Sequence, residues 1–235
     1  MQRLTAAMAA LTLACLGVGV AAATIGKSDG PLSKDKGHLA QLLDDGRSAT
    51  VAALVAPADR AVLSSARLDR TWAGIVDAYG PFRSVTHTYT VDDDRGVRHE
   101  LEVLSFRSGT GTLSAWRTKR GITAMYLLAG PSPDAGTLDL GRTFALDLTT
   151  GKAAEVAAAF NTTMRVKLPE SELEANTGSV TTAFRGSPKV VAQVVFGYSP
   201  EAIIETYLLY RNALLRVEVA LDANKQITGL YLRPI

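Results

Sequence analysis

Two serine motifs near the N-terminus have the spelling of catalytic sites. Gly26 to Gly30 reads G-x-S-x-G, and Ser33 with Lys36 reads S-x-x-K. A nucleophile elbow needs a strand before its serine and a helix after it, whereas Pro31 follows here. The S-x-x-K enzymes also carry S-D-N and K-T-G, and neither occurs downstream. We therefore interpret both motifs as parts of a spacer and assign no catalytic residue to this chain.

Metal ligands are sparse in this sequence. The histidines are His38, His87 and His99, and none is four residues from another on a helical pattern. Strand alternation places His87 on the apolar side of its strand, where a core or rim histidine is more common than a ligand. The aspartates at 92–94 precede Arg95-Gly96 and predict a hairpin turn, since a calcium loop needs spaced oxygens and a distal Glu. We predict no metal and no cofactor.

The aromatic residues are the remaining candidates for a ligand site. Core packing is their first interpretation, and the second is a pocket for an apolar ligand, as cone-shaped sheet–helix domains often have. An isomerase-like pocket would need a carboxylate beside a tyrosine, but Asp77 lies off the apolar stripe of its predicted helix. The pocket candidates are Trp72, Tyr79, Phe82, Tyr126, Phe184 and Tyr231.

The charge balance argues against two classes of partner. Lys and Arg number 25 and Asp and Glu number 23, so the net charge is only +2 over 235 residues. Nucleic-acid and anionic-membrane binding usually need a basic patch. We predict neither partner, which leaves an apolar small molecule or an envelope protein.

The N-terminal residues 1–23 read as a secretory signal peptide. Arg3 is followed by an uncharged stretch, and Ala21-Ala22-Ala23 forms an A-x-A site, so we predict cleavage after Ala23 and export. Lipidation at Cys15, the only cysteine, and an uncleaved membrane anchor are the alternatives. A cleaved chain would have no cysteine and no integral membrane domain.

The rest of the chain contains an internal repeat with an offset of 105 residues. Gly46 meets Gly151, Arg60 meets Arg165, and I-T-A-M-Y-L at 122–127 meets I-T-G-L-Y-L at 227–232. Such a period has the size of a small domain. We predict a flexible spacer at 24–37, a first unit at 38–130, a linker rich in Gly and Pro at 131–139, and a second unit at 140–235.

Each copy predicts helices followed by four hairpin-linked strands, an α+β plan. In the first copy, helices are expected at 39–45, 47–63 and 66–79, with Ser65 as an N-cap and Gly80-Pro81 as a stop. In the second, helices are expected at 153–167 and 170–183. The predicted strands of the second copy are 189–197, 202–210, 213–221 and 226–232.

Some of these residues resemble a bacterial family of exported domains of unknown function with a cystatin-like or NTF2-like shape. The likeness rests on Leu68-x-x-x-Trp72, Gly80-x-Phe82 and the closing I-x-G-L-Y-L-x-P at 227–234. The copies divide the pattern: the first has Ala124 in place of the closing glycine, and the second lacks the tryptophan. The resemblance implies two tandem units of that shape. Members often precede α/β-hydrolase or serine-hydrolase domains, and no catalytic residue transfers from them.

The function expected from the sequence is that of a non-catalytic exported binding module at the cell envelope. The alternatives are an accessory partner of an envelope hydrolase and a small NTF2-like pocket enzyme. The enzyme alternative requires an enclosed cavity that holds a buried carboxylate of raised pKa.

Overall fold

The computed structural model describes residues 38–92, 96–184, 186–196, 202–211 and 213–234. The predicted signal peptide, Cys15 and the spacer with its two serine motifs lie outside these residues, as does most of the turn that begins at Asp92. No helix within the described ranges is long and apolar enough to cross a bilayer.

The first compact unit comprises the described residues up to 133, together with Arg211 and Ala213. Its helical part is α1 (Leu39–Asp44), α2 (Ser48–Ala53), a short 3-10 helix (Pro57–Asp59) and α3 (Ser65–Tyr79). An antiparallel sheet follows in the order β1-β2-β3-β4, formed by β1 (Phe82–Asp92), β2 (Arg98–Phe106), β3 (Gly109–Thr118) and β4 (Gly121–Pro131).

The second compact unit comprises residues 134–210 and 214–234. Its helices are α4 (Ala135–Thr149), α5 (Ala153–Ala158), α6 (Thr162–Lys167) and α7 (Glu170–Ala183). They precede the antiparallel sheet β5-β6-β7-β8, formed by β5 (Lys189–Phe196), β6 (Ala202–Leu209), β7 (Leu214–Leu221) and β8 (Ile227–Pro234). The α+β class, with helices before each four-stranded sheet, is confirmed, and it is consistent with two tandem units.

One backbone motif recurs in both units at the predicted offset. In the first, Ala56 N–H donates to the Ile122 carbonyl and Ile122 N–H donates to the Leu54 carbonyl, both at 2.8 Å. In the second, Asn161 N–H donates to Ile227 at 3.0 Å and Ile227 N–H donates to Ala159 at 2.9 Å. Thus a parallel bridge ties each helical part to its last strand, at Val55–Ile122 and at Phe160–Ile227.

This motif explains why two predicted helices are each broken in two. A residue whose N–H and carbonyl bond to a strand cannot also complete the intrahelical ladder. The predicted helix 47–63 therefore ends at Ala53, and the predicted helix 153–167 is interrupted at Phe160. In the second unit a new helix starts at once, since the Asn161 side chain accepts the Met164 N–H at 2.8 Å.

The long third helix of the first unit begins one residue before its prediction, with Ser64 at the N-cap position, and ends as predicted. Gly80 has φ of +77°, a left-handed conformation that favours glycine and stops the helix. Leu68 and Trp72 are its buried residues. They pack on a core that includes Leu104, Phe106 and Leu113 of the sheet.

The position predicted for His87 is wrong: the residue is exposed and does not belong to the core. Val85 pairs with Leu104 and His87 pairs with Val103, so Thr86 is an extra residue in β1 between two consecutive residues of β2. A β-bulge of this kind reverses the faces on which following side chains lie. Val85 packs against the helix-facing core, whereas His87 stacks on Tyr89, with ring centroids 6.1 Å apart.

The repeat offset is not constant through the sheets. The pair Glu102–Leu113 of the first sheet corresponds to Thr206–Val217 of the second. Corresponding residues are therefore 104 positions apart here, whereas they are 105 apart at the bridges. Between β5 and β6 one residue is lost, since the paired Val85 and Leu104 are 19 positions apart whereas Val190 and Leu208 are 18 apart. Between β7 and β8 one residue is gained, since the paired Arg117 and Ile122 are five positions apart whereas Leu221 and Ile227 are six apart. These changes cancel, which is why the offset matches at both ends.

The segment predicted as a linker contains regular structure. β4 extends to Pro131, and α4 begins at Ala135, so only 132–134 connect the two. Asp134 caps α4, because its carboxylate accepts the Thr137 N–H at 2.9 Å and the Thr137 hydroxyl at 2.6 Å. Farther along, Gly141 approaches the sheet so closely that a Cβ there would lie 2.6 Å from Ile204 Cγ2.

Candidate functional site

The six predicted pocket aromatics do not form one site. Trp72 and Phe82 are in contact, with centroids 5.4 Å apart, and both pack on Phe106 at 5.8 Å. Tyr79 packs against the same core. Tyr126 alternates with the core residues Met125 and Leu127, which places it on the opposite face of the sheet.

The two candidates of the second unit also lie apart. Phe184 packs on Tyr210, with ring centroids 5.0 Å apart. Tyr231 is 43% exposed, and its ring lies 5.9 Å from the Arg216 guanidinium. None of the six aromatics lines the groove that α4, α5 and the start of β8 form in the second unit.

A buried carboxylate in the first unit organises the start of α1. Glu102 is fully buried and accepts the backbone N–H groups of Leu39 at 2.8 Å and Ala40 at 2.9 Å. The first N–H groups of a helix have no intrahelical partner, so the carboxylate satisfies groups that would otherwise be unpaired. His38 Nδ1 lies 3.4 Å from Glu102 Oε1, and this contact raises the pKa of the histidine.

A second carboxylate, Glu100, lies on the same face of β2. It is 3% exposed, and Arg117 Nη2 lies 3.6 Å from its Oε2. Burial, with the nearby charge of Glu102 adding to it, raises the pKa of Glu100 above its ordinary value. Within the described residues no three His, Cys, Asp or Glu side chains converge in a metal-binding arrangement.

We expect Glu100→Gln to be more stable than the wild type at neutral pH. A raised folded-state pKa means that the folded chain holds the proton more tightly than the unfolded chain, so ionisation of Glu100 lowers the free energy of unfolding as pH rises. Urea unfolding across pH should show a stability advantage that shrinks to nothing below about pH 4. A variant less stable than wild type at neutral pH would contradict this.

The second unit has its own buried polar cluster, on the sheet face away from the helical core. The Tyr207 hydroxyl donates to Glu205 Oε2 at 2.8 Å, and Arg216 Nη1 lies 3.4 Å from Glu205 Oε1. Glu205 and Tyr207 are fully buried and Arg216 is 7% exposed. The contacts of Glu205 with the Tyr207 hydroxyl and the Arg216 guanidinium offset part of the cost of burying these polar groups.

An open groove lies in the second unit, where α4 and α5 approach the start of β8. Its volume is about 340 Å³, within the range of small-ligand sites. The floor is apolar, and three carboxylates stand among the lining residues. The lining consists of Gly136, Asp139, Leu140, Thr143, Phe144, Asp147, Glu155, Val156, Ala159 and Ile227.

No family model, curated protein or solved structure matches this chain. The resemblance to exported NTF2-like or cystatin-like domains therefore stays a prediction from the residues that carry it.

The sequence analysis predicts no helix over the residues of α4 (Ala135–Thr149), so the groove residues on that helix were not among its candidates. A helical signal was present: Asp134 is a favoured N-cap residue, and Leu138, Gly141, Ala145 and Leu148 follow at spacings of three and four. Asp139, Thr143 and Asp147 then fall on one side of the same helix, four residues apart. Their convergence with Glu155 and Ile227 depends on chain packing that periodicity does not predict.

Proposed function

We propose that this chain is a non-catalytic binding module that takes its ligand in the groove of the second unit. The observation that carries the proposal is the groove itself, which is open and has Phe144, Val156 and Ile227 buried at its base and Leu140 and Ala159 half-buried beside them. The half-buried Leu140 and Ala159 leave apolar atoms accessible in the groove, which favours a ligand with an apolar body. The ligand would bind without a covalent step.

The buried carboxylates contribute no general acid or base to the groove, whose own carboxylates are Asp139, Asp147 and Glu155. Glu102 accepts two backbone N–H groups, and Glu205 contacts Tyr207 and Arg216. A general acid or base must reach the substrate proton. Neither these two residues nor Glu100 lines the groove.

The proposal also covers the structural family of the two units and the cellular location of the protein. Helices followed by a four-stranded antiparallel meander, with Leu68 and Trp72 within α3 and Gly80 and Phe82 after its C-terminus, support an NTF2-like or cystatin-like relationship. The signal-peptide pattern at 1–23 supports export to the envelope or beyond. An apolar small molecule or a protein segment would then meet the module outside the cytoplasm.

We expect Thr143→Phe to block the groove. Thr143 is exposed and lines it, so a larger side chain fills space without disturbing the core. A neutral solvatochromic dye such as Nile red should bind the wild type and lose about tenfold or more in affinity to the variant, equivalent to at least about 1.4 kcal/mol. Fluorescence titration measures the affinity of each protein.

The matched control is Thr71→Phe, which makes the same change at an exposed position of α3 in the first unit. Dye binding should be unchanged there. Equal loss in both variants, or no loss in either, would show that the dye does not report on the groove and would count against the proposed function.

A further inference from the structure

Helix α1 of the first unit is held by polar contacts at its start and by apolar contacts along its length. Leu39, Leu42 and Leu43 are buried in the core of that unit. Gly46 follows the helix with φ of +69°, the left-handed conformation that commonly ends a helix. A helix of six residues is too short to be stable by itself in water. The position of α1 therefore depends on how firmly its first turn and its apolar side are attached.

The polar attachment of α1 includes a group that gains or loses a positive charge near neutral pH. His38 immediately precedes the helix, its side chain is 44% exposed, and its Nδ1 lies 3.4 Å from Oε1 of the buried Glu102. The same carboxylate accepts the N–H groups of Leu39 and Ala40. The Thr88 hydroxyl of β1 also lies 3.4 Å from His38 Nδ1. The imidazole can thus exchange its proton with solvent while the carboxylate beside it stays buried.

The charges that face His38 favour its protonated form. The contact with Glu102 raises the pKa of His38, burial opposes this, and the negative charges of Glu102 and Glu100 add to the rise. Arg117 of β3 partly offsets Glu100, with Nη2 3.6 Å from its Oε2, and Arg98 acts on Glu100 in the same sense. Burial and the charge of Glu102 raise the pKa of Glu100. Loss of the imidazole proton therefore removes a positive charge from beside two carboxylates that lie on one face of β2.

We propose that His38 and Glu102 form a pH-dependent latch, which holds α1 on the first unit at weakly acidic pH and releases it more often as pH rises above neutrality. A histidine whose pKa is higher in the folded state stabilises that state fully below its ordinary value of about 6.5, and the contribution is lost as pH rises through the folded value. Release of α1 would uncover part of the core that it shares with Trp72 and Leu104. Neither latch residue lines the groove of the second unit, so the latch goes beyond the proposed function.

Hydrogen exchange of the full chain, corrected for the intrinsic effect of pH on amide exchange, tests the latch. Glu100→Gln serves as the parent, because it removes the other group of this cluster whose pKa is raised. In this parent we expect the protection of the α1 amides to fall about threefold or more between about pH 5.5 and about pH 8. Adding His38→Gln, which keeps a donor toward Glu102 but does not titrate, should reduce the fall to less than about 1.5-fold. A fall that persists with His38→Gln, or no fall in the parent, would overturn the latch.

Two controls separate the latch from a general effect of pH. His87→Gln replaces an exposed histidine of β1 and should leave the pH dependence of α1 unchanged. The corresponding segment of the second unit, 143–151, contains no histidine, and its protection should stay constant over the same range. Equal pH dependence in α1 and in 143–151 would contradict the latch.

The titration of His38 itself gives a second measurement that needs no variant. Followed by NMR in the wild-type chain, the imidazole should titrate at a higher pH in the folded state than in urea. This result would support the latch, because it shows that the folded chain binds the proton more tightly. An equal or lower midpoint in the folded state would overturn it.

Discussion

Glu205→Ala is expected to lower the free energy of unfolding of the second unit by about 4 kcal/mol. The substitution leaves the Arg216 guanidinium, 7% exposed, without the carboxylate 3.4 Å away, and removes the acceptor of the Tyr207 hydroxyl. Loss of one member of a buried ion pair typically costs about 3–5 kcal/mol, since the remaining charge stays desolvated. Urea unfolding followed by circular dichroism measures the change.

Replacing both charged residues separates loss of the pair from loss of packing. Glu205→Leu combined with Arg216→Leu and Tyr207→Phe should recover most of the stability, because neither a buried charge nor the hydroxyl that Glu205 accepts from remains, and apolar volume fills the site. Glu174→Ala, an exposed change on α7, should alter stability by less than about 0.5 kcal/mol. A triple variant as unstable as Glu205→Ala would refute the ion-pair explanation.

Glu102→Ala is expected to destabilise the first unit by about 3 kcal/mol. The N–H groups of Leu39 and Ala40 would lose the carboxylate that accepts both, and these residues are 2% and 0% exposed. An unsatisfied buried polar group costs about 1–3 kcal/mol, and two are created here. Chemical unfolding, together with faster hydrogen exchange in α1, would show the effect.

The second unit supplies a matched control at Thr206, which takes the place of Glu102 in its sheet. There α4 continues through the equivalent position, so Ala145 lies inside a helix and needs no carboxylate from the sheet. Thr206 instead lies 3.2 Å from Gln193 Nε2, which donates to the Leu138 carbonyl at 3.0 Å. Thr206→Ala should cost about 1 kcal/mol. Equal losses at the two positions would contradict the helix-capping role of Glu102.

Local patterns predicted much of the secondary structure. The left-handed Gly80 ended α3 as expected, and the helix at 170–183 has the predicted bounds. Alternating apolar residues predicted the strands of the second sheet to within a residue or two. These features depend on residues close together in the sequence, for which propensity and periodicity carry the information.

Features that depend on distant partners were not predicted. The bridges that break two predicted helices join Val55 to Ile122 and Phe160 to Ile227, 67 residues apart in each case. The bulge that moves His87 out of the core depends on pairing with β2. Likewise, the capping role of Glu102 joins residues 63 and 62 positions apart. No local window contains both partners of any of these contacts.

By itself the sequence determined the α+β class, the order of helices before strands, and the similarity between the two halves, because hydrophobic periodicity and turn residues act locally. The tertiary structure decided which acidic residues are buried and which remain accessible. Glu102 and Glu205 lie inside because backbone N–H groups or a guanidinium compensate for the loss of water, whereas Asp139 and Glu155 border an open groove. The candidate site was therefore visible only once helix packing placed Asp139, Asp147 and Glu155 around one groove.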